Sequence, residues 1–178
     1  MTGRVGSVNV STRTGEKKEP QAQVELLPEH GILGDAHAGE WHRQVSLLAQ
    51  ESIQKMRDCG ADVGPGAFAE NVTTEGLVVH ELPVGTRLRL GDSLCEVTQI
   101  GKVCHDRCAI FNQVGDCVMP REGIFVRVLE GGTLRPGDAV EVLAGAAAGA
   151  DGGPAGAQGK APAGAQTEVP THAEADHG

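Results

Sequence analysis

The sequence predicts a mainly β protein: a β-barrel with one or two peripheral helices and a disordered C-terminal tail. Three observations carry this. Short β-prone runs recur between Gly-rich turns, only one segment has clear helical spacing, and the last 35 residues contain almost nothing to bury.

The runs come in order. Val5, Ser7-Val8 and Val10 alternate loosely, as a first strand would. Val24 to Leu27 is a second, ended by Pro28, and Val45 to Leu48 is a third. The third leads into the one clear helix, about Gln50 to Cys59, where Ile53 and Met56 sit three apart on one face. Gly60 is its natural stop. Two later stretches share a device. Gly85 to Asp92 precedes a strand Leu94 to Ile100, and Gly132 to Asp138 precedes a strand Ala139 to Leu143. In both, a Gly-Asp step marks a tight turn with positive φ. Val126 to Leu129 reads equally as strand or short helix. With one helix against so many strands, a closed or nearly closed antiparallel sheet is expected rather than βαβ units.

The domain is expected to span residues 1–143. Of the remaining 35 residues, 144–178, 23 are Ala, Gly or Pro, and Val169 is the one larger aliphatic. Such a tail cannot bury enough apolar surface to offset the entropy of ordering it.

Composition narrows the function. The formal net charge is -9, which repels phosphate backbones, and Trp41, Phe68, Phe111 and Phe125 are the only aromatics. Nucleic acid is therefore not an expected partner. The N-terminus lacks an apolar signal core and no run approaches a membrane span, so no membrane partner and a cytoplasmic location are expected. Cys59, Cys95, Cys104, Cys108 and Cys117 are then reduced thiols.

The chemistry concentrates in Lys102-Val103-Cys104-His105-Asp106-Arg107-Cys108-Ala109-Ile110-Phe111 and Asp116 to Gly123. Lys102, His105, Arg107 and Arg121 surround three cysteines. Cations lower a thiol's pKa, and the thiolate is the form that binds metals or carries sulfur. The same charges suit an anion such as a phosphate or metal–oxo group. Three readings stand: a zinc site of Cys104, Cys108, Cys117 and His105; buried cysteines acting as small hydrophobes; or one reactive thiolate with basic neighbours. Cys59 and Cys95, alone in helix and strand patterns, are expected to be buried hydrophobes. A second cluster, His30, Asp35, His37 and His42 in a Gly-rich loop, would bind a metal or simply cap turns, and capping is the favoured reading. Glu70 and Asn71 are expected to brace a loop.

Taken together, these segments resemble the MOSC domain, named for the C-terminal part of molybdenum-cofactor sulfurases. The resemblance runs through Gly31-Ile32-Leu33-Gly34-Asp35-Ala36-His37, Arg43-Gln44-Val45-Ser46-Leu47-Leu48 and Phe68-Ala69-Glu70-Asn71-Val72-Thr73. It continues through Gly85 to Gly91, the cysteine cluster and Gly137-Asp138. The chain looks most like the small stand-alone bacterial members. The resemblance implies a β-rich barrel and a cysteine that carries sulfur or ligates molybdenum of the pyranopterin cofactor. In the amidoxime-reducing members that ligand is the second Cys of a Cys-Ser-Arg-Cys segment. Arg107-Cys108-Ala109-Ile110 matches its Arg-Cys step, so Cys108 receives the catalytic and metal-binding role. One extra residue between Cys104 and Cys108 keeps Cys104 as a rival, with Cys117 third. Lys102, Cys104, Arg107, Arg121, His37, Arg43 and Asn71 are assigned to the cofactor.

The resemblance implies a protein that binds the molybdenum cofactor, or carries sulfur for it, during maturation or delivery. Its partners would be cofactor-synthesis enzymes or molybdoenzymes. The sulfurases' pyridoxal-phosphate domain and the amidoxime reducers' extra β region have no counterpart in this chain. Complete independent catalytic machinery is thus not evident. The alternatives are a molybdenum oxidoreductase of small N-hydroxylated substrates fed electrons by another protein, and a zinc-stabilised or plain adaptor barrel.

Overall fold

A computed structural model describes residues 1–102 and 109–143 of the chain. Alternating sequence becomes strand wherever the turns allow. The elements in order are β1 Thr2–Val10, β2 Glu19–Gln21, β3 Val24–Leu27, β4 Gly31–Ile32, β5 Val45–Ala49, α1 Gln50–Asp58 and β6 Val72–Glu75. They continue with β7 Arg87–Leu90, β8 Ser93–Ile100, α2 Ala109–Val114, α3 Met119–Glu122, β9 Ile124–Glu130, β10 Gly132–Leu134 and β11 Ala139–Val142. No helix among the described residues is long and apolar enough to cross a membrane.

Seven strands close into a barrel in the order β1-β11-β7-β8-β9-β5-β6, and β6 returns to β1. Closure falls to β1, which is long enough to serve several partners. Its first residues pair with β11, its middle with β6 and its end with β2. The register slips between Val5 and Ser7, a bulge that bends the strand around the corner. A small second sheet, β10-β3-β4, stands beside the barrel.

The Gly-Asp turns hold, with φ of +54° at Gly91 and +95° at Gly137. Residues 126–129 lie within strand β9 rather than a helix. One expectation is corrected: β5 and β6 are parallel, so the barrel contains a βαβ unit. Parallel neighbours need a long crossover, and β5 runs directly into α1, which carries the chain back to start β6 in the same direction.

The period of two along β5 and β9 separates two apolar clusters. Val45, Leu47 and Ala49, with Ile124 and Val126, face the cluster that fills the barrel. Leu48 and Phe125 face a second cluster outside it, with Ile53 and Met56 of α1. Every residue of β5 is therefore buried. The outer face of β5 and β9 is where the candidate site forms.

A tight loop seals one side of that face. Gly66 has φ +82°, and a Cβ there would lie 2.0 Å from the Lys18 carbonyl oxygen. The approach is cemented by the Lys18 N–H donating to the Gly66 carbonyl at 3.0 Å. Gly66→Ala is expected to cost more than about 1 kcal/mol, because both the backbone angle and the contact are forbidden to alanine. A urea midpoint equal to that of the unaltered protein would contradict this.

Candidate functional site: a cationic cleft against the barrel wall

The loop before β5 delivers the first cation. The Arg43 guanidinium carbon lies 4.6 Å from the Trp41 ring centroid and 5.6 Å from that of Phe125. Two electron-rich ring faces hold the cation in place. The Trp41 indole N–H donates to the His37 carbonyl at 2.8 Å, which ties one aromatic wall to the preceding loop. No carboxylate pairs with Arg43 among the described residues, and its Nε is buried with no hydrogen-bond partner among them. A buried donor without a partner is costly.

Around Arg43 lies a cleft of about 140 Å³ lined by His37, Trp41, Ser46, Asn71, Lys102 and Phe125, with Ala69 and Met119 at its edges. An arginine, a lysine and a histidine line it, and among the described residues no Asp or Glu does. In a chain of net charge -9, that is a local reversal of sign suited to an anion. His37 and Trp41 also border a neighbouring hollow of about 390 Å³, bounded by Thr14 and the chain from Ala36 to Glu40.

The wall opposite is built by hydrogen bonds. Asn71 Oδ1 accepts from Ser46 N (3.1 Å) and Ser46 Oγ (3.0 Å), and its Nδ2 donates to the Asn9 carbonyl (3.2 Å). Asn71 is thus a brace that also borders the cleft. Glu70, fully buried, accepts from Gly66 N (2.6 Å), Phe68 N (3.1 Å) and Thr73 Oγ1 (2.9 Å). Burial pushes its carboxyl above the usual range despite those donors. The turn it gathers holds Ala69 at φ +61°, in the left-handed region at the cleft's edge.

Behind His37 lies a buried ion pair. Lys18 Nζ and Asp35 Oδ1 are 2.5 Å apart, and both side chains are 0% exposed. Burial alone would raise the Asp35 carboxyl, but the nearby His37 ring, the Lys18 ammonium and the His37 backbone N–H together outweigh it and hold the group well below the ordinary carboxylate range.

The structure brings four of the sequence-assigned residues together: His37, Arg43, Asn71 and Lys102. Arg121 is not among the lining residues. Its guanidinium forms a two-pronged pair with Asp116, both contacts at 2.8 Å, which lowers the Asp116 carboxyl. Cys104, His105, Arg107 and Cys108 lie outside the described residues, directly after Lys102 in sequence. Cys117 is buried in the outer cluster beside Val118 and Met119. Cys95 is buried in the barrel and its thiol is pushed up to about 12, which makes it inert. Cys59, expected to be buried, is exposed. It is the C-cap of α1, past the turn whose Ile53 and Met56 take the inner face. Among the described residues no group of three His, Cys, Asp or Glu is arranged to hold a metal. Asp35 is committed to Lys18, and the His42 ring meets Gln99 Oε1 at 3.0 Å.

Sequence reading missed Trp41, Phe125 and Lys18. The one tryptophan, two residues from Arg43, was a usable signal. Lys18, in a Lys-Lys-Glu stretch, reads as solvated surface and carries no signal at all.

Comparison with known families decides the class of protein. The MOSC domain profile matches residues 34–141. The chain belongs to the MOSC domain family. Among solved structures, the YuaD protein from Bacillus subtilis superimposes with a TM-score of 0.67 at 18% identity, covering 80% of this chain and 96% of that one. YiiM from Geobacillus stearothermophilus gives 0.58 at 22% identity, covering 80% and 75%. YiiM from Escherichia coli gives 0.57 at 20% identity, covering 81% and 70%. These likenesses show a shared fold. Comparison with curated proteins finds no match. The matched region of this MOSC chain takes in Arg43, Asn71, Lys102 and the barrel wall behind them.

Proposed function

We propose that this MOSC protein binds the molybdenum cofactor and delivers it to a cofactor-synthesis enzyme or molybdoenzyme, with the anionic end of the cofactor in the Arg43–Lys102–His37 cleft. The observation that carries the reading is Arg43. It is held between two aromatic rings, lacks a carboxylate among the described residues, and keeps a buried Nε with no partner among them.

The donor set fits the group. Phosphate and metal–oxo oxygens are acceptors, and Arg43 and Lys102 offer only donors. Ligand pockets for molecules of this size run to roughly 300–1,000 Å³, so a cleft of about 140 Å³ receives the charged end alone. The larger hollow that shares His37 and Trp41 extends the room available. When bound, the cofactor supplies a redox-active metal that takes a thiolate ligand. Cys108 is the residue proposed to provide that thiolate, six positions after Lys102 in sequence. Arg43 orients the anion through its planar fork, Lys102 adds a point charge, and Trp41 and Phe125 hold the Arg43 guanidinium in place.

The test is metal and pterin content in protein made in a cofactor-competent host. Arg43→Met keeps an aliphatic chain between the rings and removes the charge. It is expected to lower bound molybdenum at least about tenfold, the loss of one charge-assisted hydrogen bond. Wild-type protein without molybdenum or pterin, or an Arg43→Met variant with undiminished content, would refute the proposal.

A further inference from the structure

We propose that Lys18 is a positioning residue: from inside the protein it fixes His37 as the tautomer with its proton on Nε2, so that the ring offers an N–H to the anion cleft. The use of that N–H rests on the cleft proposed above; the tautomer does not.

An ammonium has three donors and no acceptor. Lys18 Nζ has three partners: Asp35 Oδ1 at 2.5 Å, His37 Nδ1 at 3.2 Å and Ser11 Oγ at 3.3 Å. Facing a group that only donates, His37 Nδ1 must accept, which places the ring proton on Nε2. The rival arrangement has Nδ1–H donating to Asp35. That contact is 3.7 Å, beyond hydrogen-bond reach. Asp35 instead takes the His37 backbone N–H on Oδ2 at 3.0 Å. One member of the pair therefore sets the backbone of His37 and the other sets its ring. A doubly protonated imidazole would have no lone pair for Lys18 and would put two cations in contact. With Nδ1 occupied, Nε2 is the edge left for the cleft that His37 lines with Arg43 and Lys102. The ring then adds a neutral donor beside the two charged ones.

Nitrogen-15 NMR of His37 reads the tautomer directly, at about pH 8, above the ordinary imidazole range of ~6.5. The apo protein is expected to show Nε2–H, and Lys18→Met to shift the proton to Nδ1. Nδ1–H in the unaltered protein overturns the proposal, as does an unchanged tautomer in folded Lys18→Met. Should Lys18→Met fail to fold, the unaltered protein's spectrum still decides. Molybdate titration then tests the donor. His37→Gln, whose amide can stand near the Nε2 position, is expected to bind nearly as well as wild type, and His37→Leu about tenfold more weakly. Equal binding by both variants overturns the donor role. Absence of molybdate uptake by wild type refutes the anion cleft itself, whereas uptake with His37 as Nδ1–H refutes the Lys18 relay alone.

Discussion

Lys18→Met is expected to destabilise the protein by about 3–5 kcal/mol, the cost of leaving a buried charge without its partner. Both members of the Lys18–Asp35 pair are 0% exposed, so water cannot replace the lost contact. Asp35 would keep the backbone donors of Ser11 (3.2 Å) and His37 (3.0 Å) but lose the ammonium. Denaturant unfolding of the single variants and of Lys18→Met with Asp35→Leu separates two effects. The double variant should recover much of the loss, because an apolar pair of similar volume replaces the charges. A single variant within about 1 kcal/mol of wild type would show that the pair is not buried in solution.

The same pair sets an acid limb. The Asp35 carboxyl is depressed in the folded state, so its contribution is present above the unfolded value of about 3.9 and is lost as pH falls toward the folded one. Glu70 runs the other way. Burial raises its carboxyl, so its contribution is present below about 4.3 and fades as pH rises through the folded value. Lys18→Met should flatten the acid limb, since Asp35 would lose a cause of its depression. An acid limb unchanged in the variant would assign that limb to other carboxylates.

The second large effect concerns sulfur. Cys108→Ser is expected to abolish molybdenum retention while leaving the melting temperature near wild type. A serine hydroxyl is not ionised near neutral pH and is a poor substitute for a soft thiolate ligand. Cys104→Ser is the matched control, differing only in which thiol is lost. Cys117→Ser should do the reverse: it replaces a thiol buried in the cluster of Leu48, Ile53 and Met119, and should lower the melting temperature without removing the ligand. Elemental analysis beside thermal melts distinguishes the three. Full molybdenum in Cys108→Ser with none in Cys104→Ser would move the ligand to position 104.

The barrel was legible because strand signals are local. Alternation marked β1, β3, β5 and β8, and Gly-Asp steps marked the turns, since each depends only on neighbours in the chain. The parallel β5–β6 pair was not legible: the sense of pairing depends on where a crossover lands, which no short window contains. Likewise α2 and α3 are too short to show a helical period. The exposure of Cys59 depended on where the last turn of α1 stopped against the core.

By itself, the sequence determined the β character of the domain, its turns, the MOSC resemblance and the residue types able to meet an anion. Only the tertiary structure decided which of them meet. It set Arg43 between rings 84 positions apart in sequence, Trp41 and Phe125, turned Arg121 to Asp116, and buried Lys18 against Asp35. The reason is physical: propensity and patterning act over a few residues, whereas burial and charge pairing are settled by which distant segments the closed barrel brings into contact.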